Sequence, residues 1–256
     1  MKVRLLLLAL LLPAVAHPAP KTRLDVFAAA SLTDAFDAIG RGFEKAHPGV
    51  RVRMQYGGSQ ALAAQLEQGA QADVFATADD RWMLYAQQRG LLDGEPVTFT
   101  HNALVVIAPR SNPGRVGKLP DLAKPGLKIV VGAESVPVGA YTRAVLRRMS
   151  QEAEYGAGYG RSVLRNVVSQ EENVKSVVAK VQLGEADAGF VYRSDVTNAA
   201  GRLLKVWEIP AALNVIANYP IAVVAHSAQA QLAREFVDYV MSPAGRAILA
   251  REHFAP

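Results

Sequence analysis

Short apolar segments alternate with amphipathic segments along most of the chain. Residues 24–28 and 73–76 are short runs dominated by apolar residues, and residues 50–56 alternate between apolar and polar positions, as a half-buried strand does. The segments between them, such as residues 31–47, carry apolar side chains at helical spacing. This order of strands and helices predicts an α/β fold built from βαβ units.

The same pattern continues to the end of the chain. Strands that are joined by crossover helices run in one direction, so we expect a largely parallel sheet. Stretches rich in Pro and Gly at residues 111–114 and 119–120 predict surface loops. The remaining predicted elements are strands at residues 103–108, 127–132, 188–192 and 223–225, and helices at residues 59–68, 80–89, 229–240 and 243–251.

The first twenty residues have a different character from the rest. Lys2 and Arg4 precede an almost unbroken apolar run over residues 5–12, and Pro13 interrupts it. Residues 14–16, Ala-Val-Ala, fit the small-x-small pattern of a cleavage site. Because the run is too short to span a bilayer, we interpret residues 1–20 as a signal peptide that is removed on export to the periplasm.

Composition limits the chemistry that the mature protein can perform. The 256-residue chain is 50% hydrophobic, which is enough for a packed core, and it contains no Cys. Disulfides, thiolate metal sites and a lipid anchor on Cys are therefore not expected. The formal net charge of +5 is not concentrated in a basic run with interleaved aromatic residues, so nucleic acid is not an expected partner. We expect a soluble monomer that is not lipid-anchored.

Two serines follow predicted strands in the same way. Ser31 follows three alanines after the first strand, and Ser59 follows Gly57 and Gly58 after the second. One interpretation is structural, because serine is a favoured N-cap residue. The other is functional: the first amides of a helix have no partner within it and carry partial positive charge. A helix start after small residues is a suitable anion site, and strand carboxyl ends are where α/β proteins place ligands.

Three further candidates lie in the second half of the chain. Pro137 suits the first turn of a helix, which would leave the amide of Val138 free. Ser169 and Glu172 have the spacing of a capping box, and the Val174 amide follows in the first turn. Tyr192 ends a predicted strand, so its hydroxyl can lie at the same edge of the sheet.

The ordered set of motifs resembles the periplasmic molybdate-binding proteins of ABC importers. Each motif alone is weak, but the set covers nearly all of the mature chain in order. The motifs, as they stand here, are AAASLTDA, GGSQALA, ADVFATAD, VPVGAY, EENV, AGFVYRSD and YPIAVV.

The resemblance implies an α/β fold of the two-lobed, type II periplasmic-binding-protein class, with the anion in the cleft between the lobes. Two crossover hinge strands would join the lobes, near residues 100–102 and 218–220. Lobe I would comprise residues 21–99 and 220–256, and lobe II residues 100–219.

The resemblance also implies the ligand and its contacts. Ser31 and Ser59 would donate hydroxyl and amide hydrogens, Val138 and Val174 their backbone amides, and Tyr192 its hydroxyl. Val138 stands where some relatives carry Ala, which matters little because the donor is the backbone. The implied ligand is molybdate or tungstate, bound as the oxyanion without a metal-cation site or a cofactor, and the implied partner is the membrane permease of an ABC transporter.

None of these five residues is Lys or Arg. Neutral amides and hydroxyls can replace the water around a buried dianion without fixed counter-charges. A site that contains only donors also selects against a protonated anion, whose O–H would find no acceptor. The size of the cleft, which would separate sulfate from molybdate, is taken from the resemblance.

Several alternatives are left open. The same helix starts would suit another oxyanion, such as sulfate, or a small organic anion. The segment from Gly57 to Ala61 approaches the G-x-S-x-G elbow of serine hydrolases but ends in Ala, with His101, His226 and His253 as candidate bases. A metal-binding or redox protein is disfavoured because the sequence has no cluster at ligand spacing. The choice between molybdate and tungstate, and a contact from Asn173, are also open.

Overall fold

The computed structural model of the protein describes residues 22–196 and 201–256. The predicted signal peptide lies outside the described residues. The strands are β1 (Thr22–Ala29), β2 (Val50–Gly57), β3 (Val74–Ala76), β4 (Leu92–Pro109), β5 (Ile129–Gly132), β6 (Val167–Glu171), β7 (Ala188–Tyr192), β8 (Leu204–Glu208) and β9 (Ile216–Val224). The helices are α1 (Thr33–Ala46), α2 (Ser59–Glu67), α3 (Asp80–Gln88), α4 (Pro137–Met149), α5 (Tyr159–Arg165), α6 (Val174–Gln182), α7 (Ala230–Met241) and α8 (Pro243–Arg251).

The strands form two sheets that share β4. The first sheet has the order β2-β1-β3-β9-β4, and the second has the order β8-β4-β7-β5-β6. The fold is therefore two-lobed, with one lobe on each sheet, as predicted. We call them the first lobe and the second lobe.

Strands β4 and β9 connect the two lobes as an antiparallel pair. The predicted hinge residues face each other on these strands, with Thr100 opposite Tyr219 and His101 opposite Asn218. Beyond Ala103, β4 leaves β9 and pairs with β7 and β8 in the second sheet. The exact boundaries of the two lobes stay a prediction.

The expectation of a largely parallel sheet is wrong for the centre of the molecule. Strand β1 runs parallel to β2 and β3, and β5 runs parallel to β6 and β7. The strands that carry the connection between the lobes, β4 and β9, are antiparallel to all their neighbours. The reason is that β9 returns the chain from the second lobe to the first and must run opposite to β4.

Helices cover the first sheet because their apolar residues lie on one face. In α1, Phe36, Ile39 and Phe43 are fully buried at helical spacing. The ring of Phe236 in α7 packs edge-on against both Phe36 and Phe43. None of the described helices is long and apolar enough to cross a membrane.

Candidate functional site

The five residues singled out from the sequence line one small cavity between the lobes. Ser31 and Ser59 approach it from the first lobe, and Val138, Val174 and Tyr192 approach it from the second. All five are almost completely buried. Each lies at or just beyond the carboxyl end of a strand, namely β1, β2, β5, β6 and β7, so the two sheets aim their helix starts at a common point.

The serines are not N-caps, so the structural interpretation of both is wrong. Ser31 lies in a single turn of 3-10 helix, Ala30–Leu32, and α1 begins after it at Thr33. Ser59 is the first residue of α2, whose N-cap is Gly58. Neither serine hydroxyl caps its own helix. The Ser31 hydroxyl is bonded to Tyr219 of β9, and the Ser59 hydroxyl is bonded to Ala78 after β3.

The hydroxyl of Ser59 is held by the backbone of the segment after β3. Its oxygen accepts a hydrogen bond from the Ala78 amide at 3.1 Å. An amide nitrogen can only donate, so the hydroxyl hydrogen of Ser59 is left to point elsewhere. Because Ser59 and Ala78 both line the cavity, this arrangement makes Ser59 a hydrogen-bond donor towards the cavity.

The second lobe contributes two helix starts. Helix α4 begins at Pro137, as predicted, and Val138 follows in the first turn. Helix α6 begins at Val174, and the side chain of Asn173 caps it by accepting from the Ser176 amide at 3.0 Å. The amides of Val138 and Val174 therefore lie in first turns, where no helical partner exists.

The predicted capping box of Ser169 and Glu172 is wrong. Ser169 lies within β6, and its hydroxyl donates to the Glu171 carboxylate at 2.6 Å. The cap is Asn173, one residue from the helix start. Asn173 also lines the cavity, with its carbonyl oxygen committed to the cap.

Tyr192 contributes a buried hydroxyl without a partner. The side chain is about 1% exposed, and its oxygen makes no hydrogen bond to the described residues. Burial raises the pKa of Tyr192 well above its ordinary value, so the hydroxyl keeps its hydrogen. A buried polar group without a partner is costly, and its position on the cavity wall indicates that a ligand supplies the partner.

The cavity wall is neutral and rich in donors. Apart from Ser31, Ser59, Asn173 and Tyr192, the lining residues are Ala, Gly, Val or Pro, and none of them is charged. The free volume is about 10 Å³, close to what one water molecule needs. A space of this size suits one compact ion rather than a sugar or a peptide.

The cavity lacks the side chains of a catalytic site. None of the candidate bases His101, His226 and His253 lines the cavity. Within residues 22–196 and 201–256, no group of His, Asp and Glu side chains has the arrangement of a metal site. The cavity therefore provides Ser59 with a hydrogen-bond donor behind it but with no general base beside it.

Several contacts join the lobes around the cavity. The side-chain amide of Gln60 donates to the Glu172 carbonyl at 2.8 Å. The indole N–H of Trp82 donates to the Ser135 carbonyl at 2.8 Å, next to the start of α4. The Lys175 ammonium lies 2.9 Å from the Asp34 carboxylate. The cleft is thus closed.

Comparison with known proteins gives the family. Residues 24–255 match the family model described as bacterial extracellular solute-binding protein. The chain is 43% identical over 230 residues to the molybdate-binding protein ModA of Mycobacterium tuberculosis H37Rv, covering 90% of this chain and 83% of the relative. The chain belongs to this family, as a member of its ModA-type group. The predicted resemblance is thereby confirmed.

Solved structures of solute-binding proteins share the fold. The periplasmic molybdate-binding protein of Azotobacter vinelandii matches with a TM-score of 0.77 at 21% identity, covering 91% of this chain and 99% of that one. The sulfate-binding protein SubI of M. tuberculosis matches with a TM-score of 0.82 at 18% identity, covering 92% and 87%. At these identities the likeness establishes the type II fold alone.

Family membership also decides the class of activity. Solute-binding proteins are non-enzymatic components of transporters, and they bind their ligand without a cofactor. This confirms the prediction that the protein is not an enzyme, and the serine hydrolase alternative is set aside. The surroundings of Ser59 agree with this. A nucleophilic serine needs a general base that accepts its hydroxyl hydrogen, but the partner of the Ser59 hydroxyl is the Ala78 amide, which can only donate.

Sequence reasoning missed the residues that hold the serines. Tyr219 of β9 lies with its hydroxyl 2.9 Å from the Ser31 oxygen, although the two residues are 188 positions apart. Ala78 holds Ser59 from the segment after β3. In the sequence, Tyr219 and Pro220 belong only to the predicted hinge at residues 218–220 and to the motif YPIAVV, and no local signal links Tyr219 to Ser31.

Proposed function

We propose that this protein is the periplasmic component of an ABC importer and that it captures molybdate, and also tungstate. The observation that supports this most is the closed, neutral cavity, to which both lobes contribute hydrogen-bond donors. The identity of 43% with a protein named for molybdate binding supports the choice of anion. The proposed contacts are the hydroxyls of Ser31, Ser59 and Tyr192 and the amides of Val138 and Val174.

Hydrogen bonds alone can hold the dianion in this cavity. A hydrogen bond to a charged group contributes roughly 1.5–3 kcal/mol. Five to seven of them, after the costs of ordering and desolvation, would give a Kd between about 1 µM and 1 nM. The starts of α2, α4 and α6 at the cavity add partial positive charge without placing a cation there.

The donor-only lining accounts for selectivity. Hydrogen phosphate keeps an O–H at neutral pH, and a site of donors leaves that hydrogen without an acceptor. A fully ionised tetrahedral anion satisfies every donor. Sulfate is also fully ionised but smaller, so it would leave some of the donors at the wall of the cavity too distant for a good hydrogen bond.

Calorimetric titration of the anion-free mature protein tests the function. We expect one-to-one binding of molybdate and tungstate, with sulfate and phosphate at least about 100-fold weaker, since one misplaced or unpaired buried group costs about 1–3 kcal/mol. Tight binding of sulfate, or of a small organic anion in place of molybdate, would overturn the ligand and leave the family intact. Binding of none of these anions would overturn the function.

Delivery would follow from closure. Because donors come from both lobes, ligand favours the closed state through contacts that the open state lacks. In this proposal, residues 21–99 and 220–256 close against residues 100–219, and the membrane permease recognises the closed, monomeric protein. Residues 1–20 would be removed on export, leaving the protein free in the periplasm without a lipid anchor.

Trp82 is expected to report closure by its fluorescence. The chain has two tryptophans. Trp82 bonds across the cleft to Ser135, whereas Trp207 bonds to the Gly117 carbonyl at 3.1 Å within the second lobe. Molybdate should therefore change the emission of the wild type and of Trp207→Phe. The change should be lost in Trp82→Phe, which still binds molybdate by calorimetry; an undiminished change in Trp82→Phe would contradict closure at this contact.

The ion pair between Asp34 and Lys175 should make a small contribution to affinity. Burial would lower the pKa of Lys175, but Asp195 and Asp34 outweigh that effect and raise it, so the ammonium stays charged. The Asp34 side chain is 48% exposed, so we expect Asp34→Asn to weaken molybdate binding only about two- to fivefold. The loss should shrink at high salt.

The control for this ion pair is Asp93→Asn. Asp93 pairs with Arg234 at 2.9 Å, and its side chain is 50% exposed, but both residues belong to the first lobe. Its removal should leave molybdate affinity unchanged in calorimetry. Equal effects of the two substitutions would mean that the Asp34–Lys175 pair does not act through closure.

A further inference from the structure

Tyr219 lies behind the cavity and not on its wall. The residue is fully buried in β9, at the strand pair that joins the lobes. Its ring packs edge-on against those of Tyr192 and Phe254, with centroid distances of 5.9 and 5.3 Å. Its hydroxyl lies 2.9 Å from the Ser31 oxygen, so the one polar atom of this side chain is directed at a cavity residue.

The Tyr219 hydroxyl has one hydrogen-bond partner among the described residues, the Ser31 oxygen. Burial raises the pKa of Tyr219 well above its ordinary value, so the hydroxyl keeps its hydrogen. The side-chain NH2 group of Asn102, on the neighbouring strand β4, donates to the Ser194 hydroxyl at 2.8 Å.

The direction of this hydrogen bond follows from the burial of Tyr219. If Ser31 donated to Tyr219, the buried Tyr219 hydrogen would be left without an acceptor, which is costly. Tyr219 therefore donates its hydrogen, and the Ser31 oxygen accepts it. The hydroxyl hydrogen of Ser31 is not used in this bond. Because Ser31 lines the cavity, this hydrogen can point into it.

We infer that Tyr219 is a specificity residue that holds the Ser31 hydroxyl as a donor towards the anion. This role rests on the proposed function, and Tyr219 acts through Ser31 without touching the ligand. Ser59 needs no such residue, because the Ala78 amide cannot accept a hydrogen bond. The two serines are thus held as donors by different groups. Ser59 is held by a backbone amide, whereas Ser31 is held by the Tyr219 side chain, which a substitution can remove.

Removal of the Tyr219 hydroxyl releases the Ser31 hydroxyl. In Tyr219→Phe, the serine can rotate and accept a hydrogen bond from a protonated anion. We therefore expect molybdate binding to weaken by about three- to tenfold while phosphate binding stays the same or improves. The diagnostic measurement is the ratio of molybdate affinity to phosphate affinity. A purely structural role of Tyr219 would leave this ratio unchanged.

The experiment is a double-mutant cycle by calorimetry with molybdate and with inorganic phosphate at fixed pH. The proteins are the wild type, Tyr219→Phe, Ser31→Ala and the double variant. Because Tyr219 acts through Ser31, adding Tyr219→Phe to Ser31→Ala should cause no further loss. Tyr159→Phe is the control, since that buried hydroxyl donates to the Leu119 carbonyl at 2.7 Å away from the cavity.

The outcomes separate this inference from the proposed function. Additive losses, or a molybdate-to-phosphate ratio unchanged in Tyr219→Phe, would overturn the role of Tyr219 while the wild type still binds molybdate. A wild type that binds neither anion would overturn both. Should Tyr219→Phe unfold, Ser31→Ala tests the same hydrogen bond from its other end. Loss of the Ser31 acceptor must shift the NMR signal of the buried Tyr219 hydroxyl proton towards that of an unbonded hydroxyl for the inference to stand.

Discussion

Replacing Ser59 with alanine is expected to weaken molybdate binding by about 10- to 100-fold, which corresponds to the roughly 1.5–3 kcal/mol of a hydrogen bond to a charged group. The substitution removes a donor from the cavity wall. It also leaves the Ala78 amide without the acceptor that it has at 3.1 Å. Ser31→Ala should act in the same direction. The measurement is a calorimetric titration of each variant with molybdate.

Ser150 provides a matched control. Its hydroxyl oxygen also accepts from a backbone amide, that of Gly160, at 2.9 Å, but Ser150 does not line the cavity. Ser150→Ala should therefore lose stability comparable to Ser59→Ala while keeping full affinity. Titration curves of Ser31→Ala and Ser59→Ala that match the wild type would show that these serines are not ligands.

The cavity residues could be found from the sequence because the signals are local. A serine after small residues at a strand end, or a proline at a helix start, is visible within a few positions, as at Ser31, Ser59 and Pro137. The partners of the serines are not local. Ala78 reaches Ser59 because β2 and β3 both pair with β1, and Tyr219 reaches Ser31 because β9 pairs with β3 next to β1. Strand order is not encoded in any short pattern.

The same distinction explains the errors in the fold. Helices with one buried face, such as α1 and α7, were predicted within a few residues of their ends. The first half of β4 was missed because Gly94 and Pro96 interrupt it, and the structure has an irregularity in pairing between Asp93 and Val97. The direction of β9 was missed because hydrophobic patterns carry no information about strand direction.

Gly58 connects the chemistry of the site to the motion of the lobes. It precedes α2 with φ −65° and ψ 138°, a conformation that any residue can adopt. Glycine is therefore not needed for its backbone freedom. It is needed for space, because a Cβ atom here would overlap the Glu172 carbonyl oxygen of the second lobe and the end of the Gln60 side chain that donates to it. That oxygen is a neighbour only while the cleft is closed.

Gly58→Val is expected to weaken molybdate binding by about 100-fold, since steric overlap in a packed interface costs up to roughly 3 kcal/mol. Gly58→Ala should fall between this variant and the wild type. In the ligand-free, open protein the Glu172 oxygen is no longer a neighbour and the flexible end of Gln60 can move aside. Thermal unfolding should therefore show only the loss of about 1 kcal/mol that accompanies Val in place of Gly at the N-cap of α2. Gly40→Ala is the control, because its new Cβ meets only the Met54 and Val52 side chains of the same lobe and Gly40 does not line the cavity.

Fluorescence distinguishes a loss of closure from a loss of ligand contacts. Ser59→Ala removes a ligand contact but leaves the lobes free to close, so saturating molybdate should still produce the full change in Trp82 emission. Gly58→Val blocks closure, so molybdate that binds to this variant should not change the Trp82 emission. If Gly58→Val gives the full change at saturation, the lobes close despite the added side chain, and the loss of affinity has another origin than the Glu172 carbonyl.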